Sequence, residues 1–242
     1  MMNKLEKHIS MKRFLLFISV ALPMLHACAQ APAAIEDFVI LGDSYSTFDG
    51  YIPEGNASWY FTFPNGDCDV VDVSQTWWKQ FAEETGYELL RNESWSGSTI
   101  CNTGYGGEDC STWSFIARME RLFEDGNQPD LILIFGATND SWANAPVGEL
   151  QYSDWSDDDL HSCLPAFCYM LDWLKKKAPE AEIVSIINSE LKYEIVAGIM
   201  QANEHYGTRH ILLKDIHKLS GHPSIKGMEA ISDQVSAFVK AL

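Results

Sequence analysis

The sequence predicts a three-layer α/β/α domain built on a five-stranded, mostly parallel sheet, and two observations predict it. Short apolar, β-rich runs alternate with longer amphipathic stretches, the pattern that buries a parallel sheet between two layers of helices. The length, 242 residues with 46% hydrophobic, suffices for one good core and reads as a single domain. No internal repeat, low-complexity tract or interdomain linker interrupts that reading.

Taken in order, the first element is an export signal. Lys12 and Arg13 precede the apolar run Phe14 to Leu25, and small residues around Ala27 to Ala29 follow it. That run is short for a bilayer span, so residues 1–29 are expected to be removed and 30–242 to form the domain, in the periplasm or outside the cell. Two cleavage readings stay open. Ala27-Cys28-Ala29 fits a small-x-small site, while Leu25-His26-Ala27-Cys28 resembles a lipobox that would place a lipid anchor on Cys28, with His26 fitting it poorly.

The apolar runs Phe38 to Leu41, Tyr87 to Arg91, Leu131 to Phe135, Glu182 to Ile187 and Arg209 to Leu213 are the expected strands. Between and after them, Val73 to Thr85, Ser111 to Phe123, Asp157 to Lys177, Ser189 to Tyr206 and Ser224 to Ala241 are the expected helices. Thr47 to Asp72 fits neither pattern. It is rich in Gly, Pro, Asn and aromatic residues, and its aromatic content points to a long ordered loop. Ligands of such sheets gather beyond the carboxyl ends of the strands, so residues directly after a strand are the first candidates for a site.

The formal net charge is −17, and loss of residues 1–29 would remove four basic residues and one acidic one, leaving the domain more acidic still. Nucleic acid and anionic membrane surfaces would be repelled, and a neutral or cationic substrate suits the chain better. Five cysteines follow Cys28. Cys101 and Cys110 flank the glycine-rich loop Thr103 to Gly107 and are the best candidates for a disulfide in an oxidising compartment. Cys163 and Cys168 point about 140° apart around a helix, so a bridge between them is not expected. No Cys/His spacing suggests a metal site, and no cofactor motif of the HExxH, Walker or dinucleotide type occurs.

Gly42-Asp43-Ser44 stands directly after the first strand. It resembles the first sequence block of the SGNH hydrolases, the GDSL esterases and lipases, whose serine at this strand end is the nucleophile. Asn92 to Ser98, with Gly97, is similar to that family's second block. Phe135-Gly136-Ala137-Thr138-Asn139-Asp140 resembles the third, except that Ala137 holds a position usually given to glycine. Gly221-His222-Pro223-Ser224 resembles the block whose histidine is the base. The four blocks occur in the family's order and span nearly all of the expected domain; no Gly-x-Ser-x-Gly elbow competes with them.

The resemblance implies Ser44 as nucleophile, His222 as general base, and an oxyanion hole formed by the Ser44 and Gly97 amides with the Asn139 side chain. The aspartate that usually precedes the histidine by three residues is replaced by Leu219. Either Asp215 reaches back to orient His222, or a backbone carbonyl near Leu219 or Ser220 does that work in a Ser-His dyad. Aromatic residues near the blocks, among them Trp59, Trp95 and Trp142, would suit stacking on sugar rings, so a carbohydrate esterase removing small acyl groups is the expected function. A lipase, phospholipase or thioesterase, and a catalytically silent carbohydrate-binding protein, are the alternatives.

Overall fold

The computed structural model describes residues 34–63 and 68–242. The expected export signal and Cys28 lie outside them. Strands β1 (Asp37–Gly42), β2 (Glu88–Ser94), β3 (Leu131–Gly136), β4 (Glu182–Ile187) and β5 (Arg209–Leu212) form one sheet in the order β2-β1-β3-β4-β5, every pair parallel. Helices α1 (Trp77–Thr85), α2 (Phe115–Arg118), α3 (Thr138–Trp142), α4 (Cys163–Lys177), α5 (Tyr193–Tyr206) and α6 (Ile225–Val239) accompany it. The three-layer α/β/α expectation holds.

Each strand feeds two cores because successive side chains point to opposite faces. Phe38, Ile40, Leu131 and Leu133 pack with Trp77 and Phe81 of α1 and with Met228 and Val235 of α6. Val39, Leu41, Ile132 and Ile134 pack with Phe115 of α2, Phe167 and Leu171 of α4, and Ile199 of α5. All of β3 is buried, as a central strand covered on both faces must be.

Several helices start later than their apolar pattern suggests, and the cause is local. Val73–Gln75 is a separate 3-10 turn closed by an Asp72–Gln75 capping box, after which Thr76 is extended and α1 begins. Ser162, also extended, delays α4 to Cys163. The helix expected from Ser111 begins at Phe115, where Ser114 caps it by accepting the Ala117 amide, and it tightens into a 3-10 stretch over Met119–Gly126.

The disulfide expected between Cys101 and Cys110 is not formed; both are free thiols. Register is the reason. Thr103 bridges Asp109 in an antiparallel pair, and the Cys110 amide donates to the Asn102 carbonyl at 2.8 Å, so Asn102 stands opposite Cys110. One residue along, Cys101 points to the other face. It joins the core that holds Cys163, while the Cys110 thiol turns to the Glu108 carbonyl at 3.8 Å.

The chain leaves β1 for β2 on one side and returns for β3 on the other, which makes the carboxyl end of β1 the switch point where such sheets open a crevice. Where it is described, the loop from Thr47 to Asp72 is ordered over this crevice. The Trp59 amide donates to Thr47 Oγ1 at 3.0 Å, the Asp49 amide donates to the Tyr60 carbonyl at 2.9 Å, and Phe48 and Tyr60 are buried. Among the described residues no helix is long and apolar enough to cross a membrane.

Candidate active site

At the end of β1 the backbone turns sharply. A side chain at Gly42 would run into Ser94 Oγ and Ser46, so the turn accepts only glycine there. Asp43 caps the 3-10 turn Ser44–Ser46 by accepting the Tyr45 amide at 3.0 Å. As the first residue of that turn, Ser44 has no acceptor within it for its own amide. Asn92 joins this turn to the end of β2, donating to the Ser46 carbonyl at 2.8 Å and accepting from Ser94 Oγ at 2.6 Å.

His222 arrives on a small hairpin, β6 (Lys218–Leu219) against β7 (His222–Pro223). The two linking residues, Ser220 and Gly221, have φ of +45° and +80°, the positive values that tight hairpin turns demand. The imidazole Nε2 lies 3.0 Å from Ser44 Oγ, and Nδ1 lies 3.2 Å from the Ser220 carbonyl. A carbonyl can only accept, so Nδ1 carries the proton and Nε2 presents its lone pair to the serine. Burial holds the imidazole proton affinity down, to a pKa of about 4; the Ser220 carbonyl opposes that shift and Lys218 adds to it. At neutral pH the ring is a free base.

Of the two expected ways of orienting this ring, the Ser220 carbonyl rather than Asp215 holds Nδ1. Asp215 is exposed. Leu219, at the position where the resemblance calls for aspartate, pairs directly across the hairpin from His222.

Two buried phenols fix the histidine backbone from either side, Tyr45 donating to the Gly221 carbonyl at 2.6 Å and Tyr60 to the Pro223 carbonyl at 2.9 Å. Three rings then surround the imidazole. Trp59 stacks face to face with it, centroids 3.6 Å apart and planes 8° from parallel. Tyr45 and Trp142 meet it in T-shaped contacts at 5.5 and 5.7 Å. Trp95 does not join them; it stacks on Trp113 at 5.9 Å, beside the loop that carries Gly97.

In the loop after β2, Gly97 has φ +87°, a conformation suited to glycine. Asn139 opens α3, where Nδ2 donates to the Ser98 carbonyl at 3.0 Å and Oδ1 accepts from Tyr105 at 2.8 Å. These bonds fix which way the amide points and leave its second N–H free to donate. Asp140 is buried and braces the loop, accepting the Ile100 and Cys101 amides at 2.8 and 3.3 Å. Ala137 sits at φ +68°, where an alanine is strained and a glycine is not. The resemblance's usual glycine is therefore the relaxed form of this turn.

A buried serine in hydrogen-bond contact with a histidine whose free nitrogen faces it is suited to acyl transfer. A family model described as GDSL-like lipase/acylhydrolase matches residues 36–239. The chain belongs to that family. Its reaction class is hydrolysis of an ester bond. A GDSL-like lipase from Bacteroides ovatus shares 47% identity over 86% of this chain and 100% of its own, with a TM-score of 0.82. One from Bacteroides uniformis shares 47% over 86% and 97%, with a TM-score of 0.81. An acetyl xylan esterase from Butyrivibrio proteoclasticus has the same fold at 17% identity and a TM-score of 0.55, over 87% of this chain and 64% of that one. No curated protein matches the chain by sequence.

For this GDSL-like chain the sequence reading missed one large contributor, Arg118. It is fully buried, donates to the Glu93 carbonyl, to the Gly42 carbonyl at 3.2 Å, to Ser98 Oγ at 2.8 Å and to the Trp113 carbonyl at 2.8 Å, and lies 3.9 Å from the Glu93 carboxylate. One side chain thus ties the end of β1, the end of β2 and the Gly97 loop together. Its signal in the sequence was a single arginine inside the apolar stretch Phe115-Ile116-Ala117-Arg118-Met119.

Proposed function

We propose that the protein is an exported serine esterase that forms an acyl-enzyme on Ser44 and removes small acyl groups from a carbohydrate. The observation that carries the reading is the 3.0 Å contact between Ser44 Oγ and an unprotonated His222 Nε2. In this mechanism Nε2 takes the hydroxyl proton as Oγ attacks the ester carbonyl. The resulting oxyanion is held by the amides of Ser44 and Gly97 and by Nδ2 of Asn139. His222 then returns the proton to the departing alcohol, and a water activated by the same nitrogen releases the acyl group. His222 works as half of a dyad, its tautomer set by the Ser220 carbonyl.

The carbohydrate reading rests on the aromatic surroundings. Trp142 is 40% exposed beside His222, and an exposed indole next to a hydroxyl-handling centre offers a sugar ring a stacking face. The acidic chain favours a neutral polymer over an anionic one. The Bacteroides relatives carry the name lipase, which favours longer acyl chains as the second reading. The deciding experiment is hydrolysis of p-nitrophenyl esters from acetyl to long acyl by residues 30–242 and by Ser44→Ala. Acetyl ester should be the best substrate, and the variant should lose at least about 10⁴-fold in kcat. A maximum at long chains would replace the carbohydrate reading with the lipase one, and turnover that survives in Ser44→Ala would remove Ser44 from the mechanism.

A further inference from the structure

A histidine that takes a proton in the transition state needs something to stabilise the cation it becomes, and a buried carboxylate ordinarily supplies that. Here no carboxylate among the described residues is hydrogen-bonded to His222. The groups that face it are known element by element. From β6 comes Lys218, a cation that opposes protonation and whose own charge is met by Glu190 at 2.8 Å. The hairpin turn contributes the Ser220 carbonyl, and the nucleophile turn contributes Ser44 and the Tyr45 ring. Trp142 meets it from α3, and the long loop supplies the Trp59 face. Of these, the Ser220 carbonyl is a single dipole that fixes the tautomer, and Trp142 and Tyr45 lie in T-shaped contact at more than 5 Å.

We infer that Trp59 acts as a positioning residue in place of the missing carboxylate: its indole face, parallel to the His222 imidazole at 3.6 Å, stabilises the imidazolium formed during attack and holds the ring plane toward Ser44. The indole face carries negative quadrupole, and a cation centred over it within about 6 Å is attracted, most strongly where water is excluded. At 3.6 Å and 8° the two rings are well inside that range. The loop that delivers Trp59 is held at both ends of the contact. The Trp59 amide is fixed by Thr47, three residues past the serine, and the neighbouring Tyr60 hydroxyl is fixed on Pro223, next to the histidine. The long aromatic loop thereby becomes part of the catalytic apparatus, bridging nucleophile and base.

This inference rests on the reading of His222 as the base, and the test separates the two. In the full chain, Trp59 is replaced site-specifically by mono-, di- and trifluorotryptophan, which withdraw charge from the ring face while nearly preserving its shape. The expected result is a stepwise fall in kcat/KM for p-nitrophenyl acetate, reaching about 3- to 30-fold. Its acid limb should move stepwise to lower pH, because a ring that attracts the cation less makes His222 harder to protonate. The same titration followed by NMR of the His222 imidazole needs no turnover and should show its pKa falling along the series. A series flat in both rate and titration would overturn the role of Trp59 while leaving the dyad intact. Activity that persists in Ser44→Ala or His222→Ala would overturn the dyad, and the inference with it.

Discussion

Around the Gly97 loop the backbone is held by buried ions, whereas around His222 it is held by neutral hydroxyls, one carbonyl and aromatic rings. Arg118 and Glu93 are both fully buried, and Arg91 adds a second partner to Glu93 at 2.9 Å. Asp140 and Asp43 complete that side, each carboxyl pushed up by burial and drawn partly back by the amides it accepts. On the other side Tyr45, Tyr60 and Ser220 position the histidine without a charge. On the proposed mechanism the difference follows the chemistry each side serves. Amide donors that meet an oxyanion gain from a rigid frame, and buried ions supply rigidity in return for a heavy penalty when one is removed. A base must change charge, and on this side the groups that hold it in place carry none; the nearby Lys218 is itself met by Glu190 at 2.8 Å.

The largest effect should come from breaking the ionic side. Arg118→Met leaves Glu93 short of a partner and cuts the ties to Gly42 and Ser98. Denaturant titration should show a loss of about 3–5 kcal/mol, with turnover falling alongside it. A loss below about 1 kcal/mol would mean that the loop is held by packing and that the contrast between the two sides is one of appearance.

A smaller effect separates the two sides by pH. Asp43 is held at about 7 against an ordinary 3.8, first by desolvation, with the Tyr45 amide pulling the other way. Between those pH values the folded chain keeps a proton that the unfolded chain has released, so this residue lowers stability increasingly as pH rises from 4 to 7. His222 has the opposite slope. Its pKa falls from 6.5 to about 4, so below 6.5 the unfolded chain binds a proton that the folded site refuses, and stability drops with falling pH. In Asp43→Asn only the histidine slope of this pair remains. The melting temperature of the variant relative to the parent should therefore rise by a few degrees between pH 4 and pH 7 and level off above it. A difference that stays constant across that range would show that Asp43 is ionised in the folded protein throughout.

The fold was legible where burial writes itself into consecutive residues. Leu131 to Phe135 is apolar throughout because both faces of β3 are covered, and Gly42-Asp43-Ser44 stands out because the turn tolerates no side chain at its first position. Short elements were not legible. The β6–β7 hairpin has strands of two residues, too few for any alternation to show, and α3 spans only five. The cysteine pairing failed for a related reason, since spacing along the chain says nothing of which residue faces which across a bridge. Arg118 was hidden because its partners are mainly backbone carbonyls, which carry no residue identity. The Trp59 contact joins residues 163 positions apart, and only the fold brings them together.

The smallest effect expected is the most direct test of how the histidine side works. Asp215 is exposed at φ +55°, a left-handed conformation that asparagine adopts readily, so Asp215→Asn keeps the turn and removes only the charge. With Nδ1 already bonded to the Ser220 carbonyl, kcat/KM should stay within about twofold of the parent, the range of an ordinary surface substitution. A fall comparable to that of Ser44→Ala would mean that the hairpin refolds during turnover and brings a carboxylate to the imidazole. The neutral side of the site would then be neutral only at rest, and the stacked Trp59 would be a cover that moves aside rather than the group that stabilises the cation.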